Sequence, residues 1–477
     1  MAISFQQKNQ HLLWRAAFGP MAENANQLSH ITPKGLYGLL VKTSSKTPAE
    51  INVASNLFDG LVKGVQDVGK LESLSKDQKQ MIRKQSREDL KNLNITWLNQ
   101  MINSEAQLRE KTSLFWHGHF ACRVINIYFQ QQLLDIIRTN ALGNFGDILR
   151  QVSKSPAMLS FLNNQQNKKQ HPNENFAREV MELFTMGRGS YTENDIKEGA
   201  RAFTGWGFNL QGEFVNRPFQ HDTGIKTFLG KTGNFDGDDI INILLEQKQT
   251  ARYITKKLYK YFVNENVDSG KVEKLGDSFY QSGYDIHKLL ETFYTSDWFY
   301  DDKNIGNKIK SPVELLVGIR RLLPMEIKNE EVQVLFQRTL GQILFYPPNV
   351  AGWPGGRNWI DSSSLMLRLR LPQILTNSDE FVLKPKDDDD TQMGMEGVDN
   401  KIKARQIQTT VDWTSVIKVF DSSPRENLME NISNVVLQTK SKISKPILEK
   451  YVDKEARDKY IKSTIVELMS TPEYQLC

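Results

Sequence analysis

Four groups of residues in this sequence have types and spacings that can do chemistry. His117-Gly118-His119 places two imidazoles two residues apart. In an extended backbone both would face one side and could share a metal ion or acid–base work; on a helix they diverge by roughly 200°. Gly118 permits an irregular backbone between them. The competing reading is one buried histidine satisfied by a neighbour and one exposed, and the pattern does not separate the two. The second group is Glu174, Arg178, Glu179 and Glu182. Glu179 and Glu182 are candidate catalytic carboxylates, Glu182 also a metal ligand beside His117 and His119, and Arg178 a substrate contact. The competing reading is a solvated helix face on which Arg178 pairs with Glu174 and Glu182. The third group is His221-Asp222 with Lys226. Here the pair would be catalytic and the lysine would hold substrate, or else Asp222 merely closes an Asx turn. The fourth is Pro347 to Trp359, where prolines and glycines present Trp353, Arg357 and Trp359. Such aromatics stack on sugar rings, and Arg357 can clamp an anion. A packed loop whose tryptophans close the core is the simpler reading.

The elements that must position these groups read as helices. His171 to Gly187 reads as one amphipathic helix, with Pro172 at the first position and Gly187 just past the end. Its apolar arc is Phe176, Ala177, Val180, Met181, Leu183 and Phe184, opposite the Glu174–Arg178–Glu182 arc. Residues 8–20 read as a short helix stopped by Gly19-Pro20. Lys79 to Ala121 carries a helical pattern ending in Phe115-Trp116-His117-Gly118-His119-Phe120. Thr32-Pro33 and Ser155-Pro156 are caps followed by proline at N1, and Thr192 and Asp236 open further helices. Phe214-Val215-Asn216 and Thr227-Phe228-Leu229 predict a small hairpin within 207–234. The helix holding Arg252, Lys256, Lys257 and Lys260 is basic on one side, an ordinary amphipathic face or an anion-binding one. Asp236-Gly237-Asp238-Asp239 fails the EF-hand spacing and reads as a cap.

The fold class expected is mainly α: a main helical domain over 1–383, a flexible acidic loop over 384–400, and a C-terminal helical segment over 401–477 docked on the same body. At 39% hydrophobic and 25% charged residues, the 477-residue chain is globular rather than disordered. A net charge of +5 is too small for an electrostatic nucleic-acid binder. No run approaches the ~18 apolar residues of a transmembrane segment. Two cysteines, Cys122 and Cys477, exclude a disulfide framework. The polar start lacks an export signal, which by itself gives a cytoplasmic protein. Tyr474 and Leu476 predict an end docked on the helical body, in its sharper form with Cys477 near Cys122.

Several of these stretches together resemble one bacterial family, domain of unknown function 1800. They are His11 to Gly19, Leu114 to Phe120, Pro172 to Thr185, Ala200-Arg201-Ala202-Phe203-Thr204-Gly205-Trp206, His221-Asp222-Thr223-Gly224 with Lys226, Pro347 to Gly356, and Pro472 to Cys477. The resemblance spans nearly the whole chain and implies one large helical unit. Genes of this family often sit beside one for a secreted sulfatase-like protein, which implies a paired role outside the cytoplasm. For this chain that would require a non-standard export route. Two functions follow as expectations. One is a metal-assisted hydrolase acting on a glycan or anionic polymer, with a divalent metal of open identity. The other is a non-catalytic binding or assembly partner of the sulfatase-like protein.

Overall fold

A computed structural model describes residues 3–54, 75–209, 211–377 and 407–477. The expected acidic loop, 384–400, lies outside the described residues. Helices dominate, as the apolar periodicity predicts, and their starts follow local capping chemistry. Thr32 accepts from the Gly35 N–H at 3.1 Å to open Pro33–Ser44, and Ser155 accepts from Met158 to open Pro156–Phe161. Thr192 and Asp236 each build a capping box. The run from Lys79 to Ala121 divides into Lys76–Asn103 and Gln107–His119.

The expected single hairpin is two antiparallel pairs. Trp206–Phe208 pairs with Phe214–Asn216, and Lys226–Phe228 pairs with Lys231–Gly233. A third pair, Met325–Ile327 with Thr409–Val411, ties the C-terminal segment to the middle of the chain.

Buried side chains form two large hydrophobic clusters. One gathers Phe145, Phe176, Phe184, Phe203, Ile254 and Phe293; the other gathers Trp97, Leu316, Phe336, Leu371, Ile432 and Ile465. Several helices feed both, Phe5–Ala16 and Gln107–His119 among them. Phe5–Ala16 sends Leu12 to the first and Trp14 to the second; Gln107–His119 sends Phe115 and Trp116 to the first and Leu114 to the second. These helices are the seam of the molecule. Buried ion pairs fasten it: Arg138–Glu110 at 2.7 Å, with Trp97 Nε1 donating to Glu110, and Lys111–Glu314 at 2.5 Å. Each pair is hydrogen-bonded further, as buried charges must be.

The central stretch departs from its predicted form. Its helix begins at Glu174, capped by the Asn173 side chain, not at Pro172. Asn173 is extended and its N–H donates to Asn167 Oδ1 at 2.9 Å, so helical geometry starts later. Glu174–Glu179 is α-helical, but Val180–Thr185 is a π turn. Met186 N–H reaches back five residues to the Met181 carbonyl at 2.8 Å. Gly187 follows at φ +76°, as the sequence predicts.

Candidate functional site

The seam helix Gln107–His119 carries the His-Gly-His motif on its last turn, so the two rings diverge. His117 is buried among Trp97, Phe345 and Trp353, with centroids 4.9–5.4 Å from its own. Its Nε2 accepts from the Phe345 N–H at 3.2 Å. Phe345 holds a left-handed φ of +69°, so His117 anchors a strained residue at the start of the Pro347–Trp359 loop. Burial pushes the His117 imidazole down to about 3. The loop then packs back on the same helix. Gly352, at φ +82°, lies so close that a Cβ there would stand 2.4 Å from the Gly118 carbonyl oxygen. Two stretches far apart in the chain thus form one unit.

His119 points the other way, against Phe115, Trp116, Phe120 and Phe184. Its Nε2 lies 3.3 Å from the Phe184 carbonyl, while Nδ1 has no partner among the described residues. Burial, helped by the nearby Lys257 charge, holds this ring well below its usual range.

Beside this unit lies a solvent-open cavity of about 370 Å³. Phe115 and His119 form one wall, Trp353, Asn358 and Trp359 another, and Lys257, Lys260 and Tyr261 a third. Glu265, Lys308, Ser311 and Glu314 complete it. Burial works to raise the Glu314 carboxyl, but Lys111 and Lys308 outweigh it and hold the group well below the carboxylate range. Lys308 Nζ is 3.6 Å from Glu314 and 4.0 Å from the Tyr261 ring centroid. Lys257 has no carboxylate partner among the described residues, and its Nζ lies 5.4 Å from the Tyr253 ring centroid; desolvation lowers it to about 8. The π turn reaches this place too, since the Leu183 carbonyl accepts from Lys257 Nζ at 3.4 Å. π turns occur often at functional sites.

Of the residues singled out by type and spacing, His119, Trp353 and Trp359 line this cavity, with Lys257 and Lys260 of the basic helix face. The remaining candidates serve elsewhere. Arg178 bonds Glu174 at 3.1 Å and Glu193 at 2.8 Å, not Glu182. The widened π turn takes Glu182 off the 3.6-residue register, and it accepts from Arg188 and from Tyr191 at 2.9 Å. Glu179 is half-buried, and burial with the Glu182 charge raises its carboxyl. His221 Nδ1 lies 2.9 Å from the Thr204 carbonyl. Asp222 takes a two-pronged bond from Arg201, which lowers its pKa, and caps the Gly224 N–H in an Asx turn. Lys226 is buried and ties down the Asp222 and Gly224 carbonyls. Arg357 is exposed and does not line the cavity.

The ligand set His117, His119 and Glu182 is not brought together. Among the described residues no three His, Cys, Asp or Glu side chains are placed to hold a metal ion. His117 Nε2 is already occupied by a backbone donor, and Glu182 by Arg188 and Tyr191. These residues do not fit a shared divalent ion. Sequence reasoning missed Glu265, Lys308 and Glu314. A signal existed for one of them: Glu314 is a lone acid in the apolar run Pro312–Ile319.

No helix among the described residues is long and apolar enough to cross a membrane. Comparison with curated proteins and with solved structures returned no match. A family model described as a protein of unknown function, DUF1800, matches residues 11–476, so both the seam motifs and the cavity fall inside it. The chain therefore belongs to the DUF1800 family.

Proposed function

We propose that the protein binds an acidic glycan, or a comparable ring-bearing anion, in the seam cavity. One observation carries this reading: Lys257, Lys260 and Lys308 converge on a cavity walled by Trp353, Trp359 and Tyr261. Aromatic faces take the apolar face of a sugar ring, and lysines take its carboxylate or sulfate. Hydrolysis of the bound ligand is the enzymatic form of this reading. The metal-assisted version of it draws no support from the placement of His117, His119 and Glu182.

Calorimetric titration with uronic-acid and sulfated oligosaccharides, against neutral ones of equal length, tests binding. Acidic ligands should bind selectively, and Trp353→Ala should weaken them about ten-fold, the loss of one stacking contact. Equal binding of neutral ligands, or no effect of Trp353→Ala, overturns the reading. Release of reducing ends or sulfate in the same mixtures reports turnover.

A second reading, a binding partner of a sulfatase-like protein, rests on Phe219. This side chain is 92% exposed on a loop fastened by Arg201–Asp222 and Lys226, and Ile225 on the same loop is also exposed. A rigid loop presenting bare apolar groups suits a protein surface. Phe219→Ser should abolish co-purification with a sulfatase-like partner protein; unchanged co-purification removes this reading.

A further inference from the structure

Lys257 differs from the other cations of the cavity. Lys308 is held by Glu314 and by the Tyr261 ring, and Lys260 is exposed. Lys257 lines the cavity half-buried with no carboxylate partner among the described residues; its hydrogen bond goes to the Leu183 carbonyl at a long 3.4 Å, and the Tyr253 ring centroid is 5.4 Å away. Desolvation is the cause of its lowered pKa, with no carboxylate opposing it. At pH 7.4 a lysine near 8 is unprotonated about a fifth of the time, against about one in a thousand for an ordinary lysine. A desolvated amine of this kind is a nucleophile.

A second observation points to the same spot. His119 also lines the cavity, is buried, and its Nδ1 has no partner among the described residues. With Nε2–H donating to the Phe184 carbonyl, Nδ1 carries a lone pair. The π turn sets both groups, since adjacent carbonyls, Leu183 and Phe184, hold Lys257 and His119.

We propose that Lys257 captures a carbonyl group of the cavity's ligand as an imine, the substrate class being the open-chain reducing end of an acidic saccharide. The Nζ lone pair forms a C–N bond to the aldehyde carbon, and the carbonyl π pair moves to oxygen. Oxygen takes up the two protons that Nζ gives up, and leaves as water when the C–O bond breaks. The balance is amine plus aldehyde to imine plus water, with no oxidant or reductant. His119, whose Nδ1 is unpartnered among the described residues, lines the same cavity as Lys257. The choice of an acidic saccharide rests on the proposed function; the reactive amine does not.

The full-length protein is treated with limiting glyceraldehyde, which is neutral, or glyceraldehyde 3-phosphate, which is anionic, and cyanoborohydride. Modified lysines are mapped by peptide mass spectrometry from pH 6.5 to 10. With glyceraldehyde, Lys257 should react at least ten-fold faster than exposed lysines at pH 7.5, with a midpoint near pH 8. Labelling no faster than that of exposed lysines overturns the reactive amine, whatever the phosphorylated probe does. The phosphorylated probe should react several-fold faster still, and Lys260→Met should remove that gain. Fast labelling by both probes at equal rates would overturn the anion reading and leave the amine standing.

Discussion

At His117 a neutral ring holds a strained backbone, and that makes the protein sensitive to acid. The ring accepts from Phe345 through Nε2, so protonation must break the bond as well as charge a buried group. The folded pKa, about 3, lies below the unfolded value of 6.5, so between these values the unfolded chain binds the extra proton. Stability from this group is therefore complete above pH 6.5 and falls as pH drops, by about 1.4 kcal/mol per unit. His11 and His119 are depressed in the same sense by burial. Asp135 has the opposite sign, since burial raises it to about 6. The difference between wild type and a variant is thus the clean measurement. Glutamine can accept from Phe345 without titrating, so His117→Gln should flatten the fall in urea-unfolding free energy between pH 6.5 and 5 by about 2 kcal/mol. An unchanged slope would show that the His117 proton is not the cause.

The element that organises the cavity is a pairing of helix end and loop, and two glycines in it have different duties. In Gly118 a Cβ would meet nothing within 4 Å, and the residue is helical. Gly352 has a positive φ and approaches the Gly118 carbonyl too closely for any side chain. Gly118→Ala should be neutral or slightly stabilising, whereas Gly352→Ala should cost about 2–3 kcal/mol and loosen Trp353. Thermal melts of the two variants check this; equal losses would contradict the packing described. The same contrast explains what could be read from sequence. Caps at Thr32, Ser155, Thr192 and Asp236 were legible because each bond spans three residues or so. The π turn was not, because Val180, Met181 and Phe184 satisfy a 3.6-residue period until the hydrogen bonds are seen to span five residues. The cavity was legible at His119, Trp353 and Trp359, and in the basic helix face that carries Lys257 and Lys260. Glu265, Lys308 and Glu314 come from separate segments, and only tertiary packing brings them together.

On the scale of the whole molecule, the last residues lock the seam. Lys308 and Cys477 exchange backbone hydrogen bonds at 3.1 and 2.7 Å, and Lys310 N–H donates to Gln475. Lys310 Nζ donates to the Tyr474 carbonyl at 2.6 Å and lies over the rings of Trp14 and Tyr474. Arg15 donates to the Cys477 carbonyl at 2.8 Å. The first helix, the segment before Pro312 and residues 474–477 therefore interlock, and Lys308 passes from this knot into the cavity. The two cysteines do not share it. Cys122 lies in one hydrophobic cluster and Cys477 in the other, and both are buried free thiols. Removing residues 472–477 deletes the buried Tyr474 and strips Lys308, Lys310 and Arg15 of acceptors. The expected loss is about 3–5 kcal/mol, from one large cavity plus unsatisfied buried donors. Tyr474→Ala alone should lose about 3 kcal/mol while keeping the backbone bonds. Because Lys308 is carried on the same strand-like segment, the truncation should also weaken acidic-ligand binding, whereas Tyr474→Ala should leave it near wild type. Urea unfolding and calorimetry on both variants separate the two effects. A truncated protein that melts at the wild-type temperature would refute the lock, and a truncation that loses stability but keeps full affinity would detach the cavity from it.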